Sequence, residues 1–403
     1  MRKNKWLRRI VKFLVILIVL LIVVVAGLWW LTKPTPPDEF YAAPANMPAQ
    51  PGGIIRIEPF TKQVPDNAKA WRVLYTTTKF DGTIAPVSAI VLAPKVPSGL
   101  PSDVVAWNHG TTGVAPPCAP SVLNEPFANV PALREAIAEG WVVVATDYIG
   151  LGAAGPHPYL IGEGEARSAL DSIRALRQMK ELAVTDKTVV WGHSQGGHSA
   201  MWTGILGPQY APEQKIDGIA AAAPATDLVG LLPKIKDRPV GRIMSSYVIT
   251  AYSSTYPDVA FDDYVRPAAR WLSRDIATRC MEGKKALFMV AQSVVLGGSI
   301  LSTDPAPGPL GDRLKQNTPN GAIASPLWIA QGDKDELVLP EVQDPFVDQL
   351  CESGRSLEYT KYTGRDHLSL VANDSPYAND LIRWTKERFE DSPAEQGCVK
   401  TSR

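Results

Sequence analysis

What this sequence lacks first is charge of one sign: Lys and Arg together number 41, and Asp and Glu number 41, in 403 residues. Without a basic excess, and without the Cys/His spacing of zinc fingers, the chain has no means of tracking a phosphate backbone, which excludes nucleic acid as a partner. Cysteine is scarce too. Cys118, Cys280, Cys351 and Cys398 form no CxxC and no Cys/His group, so no metal site is expected. No segment of about 20 to 50 residues repeats, which excludes solenoids and propellers. Histidine is rare as well, at five residues, and that rarity narrows the search for any proton-transfer group. What remains is a globular composition, 45% apolar and 20% charged, too apolar for disorder and long enough for one large domain or two.

The exception to this balance lies at the start. Arg2, Lys3, Lys5, Arg8, Arg9 and Lys12 precede an uncharged apolar run from Phe13 to Trp30. At about 1.5 Å per residue such a run nearly crosses a bilayer core, and it exceeds the roughly 7 to 15 residues of a signal-peptide core. The basic flank is expected in the cytoplasm and Trp29 and Trp30 at the far interface, with the rest of the chain outside. The competing reading is a cleaved signal peptide ending near Ala42 and Ala43, which also exports the body. Residues 32–51 carry Pro34, Pro36, Pro37, Pro44, Pro48 and Pro51, and they read as a stiff extended spacer holding the body off the membrane. In an exported chain the four cysteines imply two disulfides, for which three connectivities exist.

From Trp71 onward, short apolar runs alternate with helical patterns, the rhythm of a mostly parallel sheet covered on both faces. Eight strands are expected: Arg72–Thr77, Val87–Leu92, Val104–Asn108, Trp141–Thr146, Thr188–Trp191, Gly218–Ala223, Leu327–Gln331 and Leu357–Tyr362. Ala166, Ala169, Leu170, Ile173, Leu176 and Met179 mark an amphipathic helix over Glu163–Leu182. The strand rhythm stops at about Ala225 and resumes at Ser325, which reads as an inserted helical cap rich in aromatics such as Tyr247, Tyr252, Tyr256 and Trp271. The expected plan is therefore an anchor (1–31), a spacer (32–51), a core in two parts (52–224 and 321–395), a cap between them (225–320) and a tail (396–403).

Gly192-His193-Ser194-Gln195-Gly196 follows the strand Thr188–Trp191 and leads into a small-residue helix start. A Gly-x-Ser-x-Gly pattern alone is weak, but strand, sharp turn and helix in that order form a nucleophile elbow, with Ser194 raised above the sheet. A serine hydroxyl needs a base, and in this fold the base comes last in the chain. Of His109, His157, His193, His198 and His367, only His367 lies beyond the cap. His198 is read as packing near the site, and His109 as shaping its turn. The orienting acid should end the preceding strand, where Asp333, Asp335 and Glu336 compete; the fourth position of Gly-x-x-Asp selects Asp335, ahead of Asp333 and then Glu336. Two backbone donors are needed for the oxyanion: the Gln195 amide, and one from the loop after the third strand, His109-Gly110-Thr111-Thr112-Gly113, where Thr111 is chosen.

These residues, with Cys118-Ala119-Pro120-Ser121 and Thr146-Asp147-Tyr148-Ile149-Gly150-Leu151-Gly152, resemble the secretory lipase family of α/β-hydrolases over roughly Pro51 to Phe389. The resemblance implies hydrolysis of triacylglycerols or smaller acyl esters, a helical cap over the acyl site, and disulfides joining Cys118 to Cys280 and Cys351 to Cys398. It also favours Asp335 over Asp333. The anchor departs from secreted members and leaves the physiological ester open. The expected protein is an α/β-hydrolase with an eight-stranded, mostly parallel sheet, behind one transmembrane helix, needing no cofactor and no metal and taking a small-molecule or lipid ester as partner. An acyltransferase or a peptidase would use the same triad, and a binding module that had lost catalysis would be expected to lack one of its members.

Overall fold

The computed structural model describes residues 2–403. It begins with a 30-residue helix, α1 (Arg2–Leu31). The large apolar side chains along its length stay between 47% and 69% exposed from Trp6 to Leu31, apart from the partly covered Ile10 and Trp29. The segment Trp6–Leu31 is long and apolar enough to cross a membrane.

Ten strands follow: β1 (Ile54–Phe60), β2 (Ala68–Thr78), β3 (Ile84–Pro94), β4 (Ser102–Asn108), β5 (Val142–Thr146), β6 (Val184–His193), β7 (Gly218–Ala222), β8 (Leu327–Gly332), β9 (Leu357–Tyr362) and β10 (Cys398–Ser402). They form one sheet in the order β1-β2-β3-β5-β4-β6-β7-β8-β9-β10. The pairs β1–β2, β2–β3 and β3–β5 are antiparallel, and every pair from β5–β4 to β9–β10 is parallel.

The helices after α1 are α2 (Leu133–Ala138), α3 (Gly162–Leu176), α4 (Gln195–Tyr210), α5 (Leu228–Ile235), α6 (Pro239–Thr255), α7 (Phe261–Tyr264), α8 (Arg270–Ala277), α9 (Lys285–Val295), α10 (Pro309–Gln316), α11 (Pro340–Glu352) and α12 (Pro376–Phe389). Alternate residues of the central strands feed two separate cores, as a two-residue side-chain period requires. Val105, Trp107, Val143, Val189 and Trp191 face α2 and α12 with Leu133, Ile137 and Trp384. Val104, Ala106, Val144, Val190 and Ile219 face α3, α4 and α11 with Ile173, Met201 and Phe346. All five residues of β5 and of β7 are buried, and each buried valine there contributes roughly 1.5 to 3 kcal/mol. This explains their almost wholly apolar sequence, Thr146 being the exception.

The eight expected strands are present and two more join them. β1 is a half-covered edge carrying Pro59, which an edge strand tolerates because one side of it needs no donor. β10 occupies what the sequence suggested was a tail at 396–403. Its residues are mostly exposed, so it has no apolar signature; it is recruited by the parallel ladder to β9 and by the Cys351–Cys398 disulfide. The Pro-rich spacer is also not free along its length. Phe40 and Tyr41 are buried, packing with Leu74 and Ala153, and Arg72 holds Asp38 through both carboxylate oxygens. α3 ends at Leu176, six residues earlier than its periodicity suggested, because the chain turns there and Arg177 reaches forward to the Thr185 and Asp186 carbonyls.

Candidate active site

The turn between β6 and α4 is a single residue. Ser194 has φ 58° and ψ −119°, a conformation costing on the order of 1 to 3 kcal/mol that persists only when the surroundings impose it. They do so through Ser194 N donating to Ala222 O at 2.9 Å and His198 N donating to Ser194 O at 3.1 Å. The flanking glycines are steric requirements. A Cβ on Gly192 would fall 1.9 Å from Gly196 O, and one on Gly196 would fall 1.8 Å from Asn108 O.

After β8 the three competing acids separate. Asp335 is 3% exposed, and its Oδ2 accepts from His367 Nδ1 at 2.8 Å and from Gln331 Nε2 at 3.1 Å. Its Oδ1 accepts from the Leu337 and Val338 amides, both at 2.8 Å. Asp333 instead accepts from Gly364 N at 2.6 Å, bracing the loop that carries His367, while Glu336 is exposed. With its Nδ1–H donated to Asp335, His367 keeps Nε2 as an acceptor. Ser194 and His367 are each 8% exposed. Their side chains are not hydrogen-bonded to each other, a contact that in unliganded sites commonly tightens only when substrate is bound.

His193, the elbow's variable residue, has a structural task. Its Nε2 donates to the His367 carbonyl at 2.9 Å, and the two rings lie 4.6 Å apart. Burial, and the neighbouring His367, push His193 well below the usual imidazole range, so it stays neutral. In the loop after β4, Gly110 passes over the elbow, where a Cβ would lie 3.3 Å from His193 O and in ordinary contact with Ser194 Cβ at 3.6 Å. The Thr111 hydroxyl bonds Tyr159 OH at 2.8 Å. His109 is held by burial down to about 4 and faces the Gly110 and Asp147 carbonyls.

Sequence reasoning missed one cluster. Glu165, fully buried on α3, accepts from Gln195 Nε2 at 2.8 Å, Leu160 N at 2.9 Å and His198 Nδ1 at 3.0 Å. Gln195 Nε2 also donates to His157 Nε2 at 3.0 Å, and His198 Nε2 donates to Asn317 O at 2.8 Å. The side chain of Gln195 is thus clamped from two sides. The available signal was Glu165 itself, a carboxylate on the buried stripe that continues through Ala169 and Ile173.

Comparison with known proteins identifies the family and the fold. A family profile described as "Secretory lipase" matches residues 128–397. Lipase 6 of Candida albicans is 25% identical over 92% of this chain and 85% of its own length. A probable inactive lipase of Mycobacterium tuberculosis is 24% identical over 91% of this chain and 84% of its own. Candida antarctica lipase A in its closed state superposes with a TM-score of 0.72 at 20% identity, covering 90% of this chain and 87% of that one.

Proposed function

Because the chain belongs to the secretory lipase family of acyl-ester hydrolases, we propose that it is a serine carboxylic-ester hydrolase acting on acylglycerols or other acyl esters, with Ser194, His367 and Asp335 as its triad. The observation that carries this reading is the buried 2.8 Å pair of His367 and Asp335 beside a serine held at positive φ on the sheet's C-terminal edge. Ser194 Oγ attacks the acyl carbon as His367 Nε2 takes its proton, and Asp335 holds the tautomer without being protonated. The Gln195 and Thr111 amides bind the oxyanion, each worth about 3 to 4 kcal/mol in the transition state. His367 then returns the proton to the departing alcohol, and water, activated by the same imidazole, releases the acid from acyl-Ser194.

The burial of Ser194 supports a cap formed by α5 to α10 that moves to admit substrate. α1 acts as a retained anchor with the catalytic body outside, a reading supported by the basic flank before it and by the docking of its last turn on α8, where Trp29 Nε1 donates to Asp275 at 2.8 Å. The test is hydrolysis of p-nitrophenyl esters of increasing chain length beside Ser194→Ala, whose turnover should fall on the order of 10⁶-fold. An alanine variant as active as the parent would end this reading.

A further inference from the structure

α9 has its polarity turned inside out. Its buried side holds Gln292 and Ser293 beside Met289, whereas Leu287, Val290, Val294 and Val295 are 67%, 39%, 56% and 78% exposed. These aliphatic positions recur at helical spacing on one face, and no charge follows Lys285 within the helix. Trp271 on α8 adds an indole 71% exposed. Water does not favour such a face; an interfacial helix presents one to lipid.

The position of α9 says which lipid surface. The Asp275 carboxylate accepts from Trp29 in the last turn of α1, from Arg279 Nε at 2.8 Å, and from Gln292 of α9. Arg279 also donates to Thr32 Oγ1 at 3.0 Å, and its guanidinium lies 4.7 Å from the centre of the Phe288 ring. One carboxylate therefore joins the end of the membrane helix to the inner side of α9. Wherever α1 leaves the bilayer, α9 lies within a few side chains of that point.

We propose that the outer face of α9, with Trp271, seats in the outer leaflet of the same membrane that α1 spans, so that the ester substrate is an amphiphile drawn from that leaflet rather than from bulk solution. This rests on the reading of α1 as a retained anchor. The seated limb also reaches the oxyanion loop: Cys280 is disulfide-bonded to Cys118, and Met281 N donates to Thr112 O at 2.8 Å, one residue past Thr111. Docking would thus hold the mouth of the site toward its substrate.

The experiment uses the full chain reconstituted in phosphatidylcholine and phosphatidylglycerol vesicles, with an environment-sensitive fluorophore on Leu287→Cys or Val294→Cys and, as a control, on the exposed Ser98→Cys. Blue-shifted emission and quenching by lipids spin-labelled near the headgroup are expected at 287 and 294 and not at 98. Water-like, unquenched emission at 287 and 294 overturns the proposal, as does a blue shift that lipid quenchers leave untouched and that grows with protein concentration, which marks contact between two copies. Resistance of the chain to alkaline extraction reports the anchor separately. Leu287→Gln/Val290→Gln/Val294→Gln should lose about ten-fold or more on an ester diluted in the bilayer while staying within about two-fold on p-nitrophenyl acetate. Undiminished turnover of the bilayer ester overturns the proposal. If neither ester is turned over by the parent, hydrolysis is refuted, and the fluorophores still decide the docking.

Discussion

Asp335 and His367, 32 residues apart in sequence, meet through a 2.8 Å Nδ1–Oδ2 hydrogen bond in which the carboxylate is already held by two backbone amides and Gln331. A carboxylate so fully supplied with donors is fixed in direction, and it fixes the imidazole in turn. Asp333, two residues earlier, spends its oxygen on Gly364 and does not reach the ring.

Asp335→Asn should therefore lower kcat on the order of 10³- to 10⁴-fold, because an amide can donate to Nδ1 and favour the wrong tautomer. Asp333→Asn should leave kcat nearly intact and cost about 1 kcal/mol of stability through the loop bond. Steady-state kinetics with denaturant unfolding of both variants checks this, and equal losses of kcat would contradict it.

Glu165 orients Gln195 without reaching the space above Ser194, so it is a positioning residue. Glu165→Gln should lower kcat with little change in KM, and destabilise by about 1 to 3 kcal/mol, because one of the two acceptor oxygens becomes an amide NH2 set against buried donors. Kinetics on a soluble ester separates the effects: a change confined to KM would show that the clamp does not serve the oxyanion site.

The Cys118–Cys280 bridge spans 162 residues and ties the helical segment to the loop beyond Thr111. Replacing both cysteines by serine should cost on the order of 5 kcal/mol by the chain-entropy relation, against about 4 for the Cys351–Cys398 pair, whose separation is 47. Only the first replacement should also impair turnover. Thermal unfolding and esterase assays of the two double variants give the comparison.

Stability should fall with acid below about pH 6.5. Burial lowers His109 to about 4, His157 to about 3 and His193 well below its usual range. The unfolded chain then takes up protons that the native state refuses, so stability is lost as pH drops from 6.5 toward those values, with His109 alone worth about 3 kcal/mol at the limit. Asp147 acts in the opposite sense. Burial raises it to about 6, so between about 4 and 6 the native state holds one proton that the unfolded chain has released, partly offsetting the histidines. Denaturant titrations from pH 4 to 8 should show the slope, and His109→Asn should flatten it.

Local pattern was enough for much of this molecule. The central strands announce themselves because strands buried on both faces must be largely apolar, as β5, β7 and β8 are, whereas β2 and β9 near the edges alternate with polar residues. Ser194 between two obligate glycines is legible because the constraint acts within five residues, and His367 emerges because histidines are few and chain order in this fold is restrictive. The apolar face of α9 could also be counted along the chain, but nothing in it says that the face is turned outward.

What tertiary structure alone decided is every choice among residues of equal local merit. The place of Asp335 in Gly-x-x-Asp already ranked it ahead of Asp333, but only the fold aims its carboxylate at His367, and β10 is a strand only because β9 and a disulfide lie beside it. The middle of the spacer is bound because Arg72 and Leu74 happen to meet it. Glu165 stands out in sequence only as an acid on the apolar stripe of α3, and its partners Gln195, Leu160 and His198 are supplied by the fold. Periodicity reports which side of an element is apolar, whereas partners brought together from distant parts of the chain, through contacts that carry no sequence spacing, set the directions of the side chains that do the chemistry.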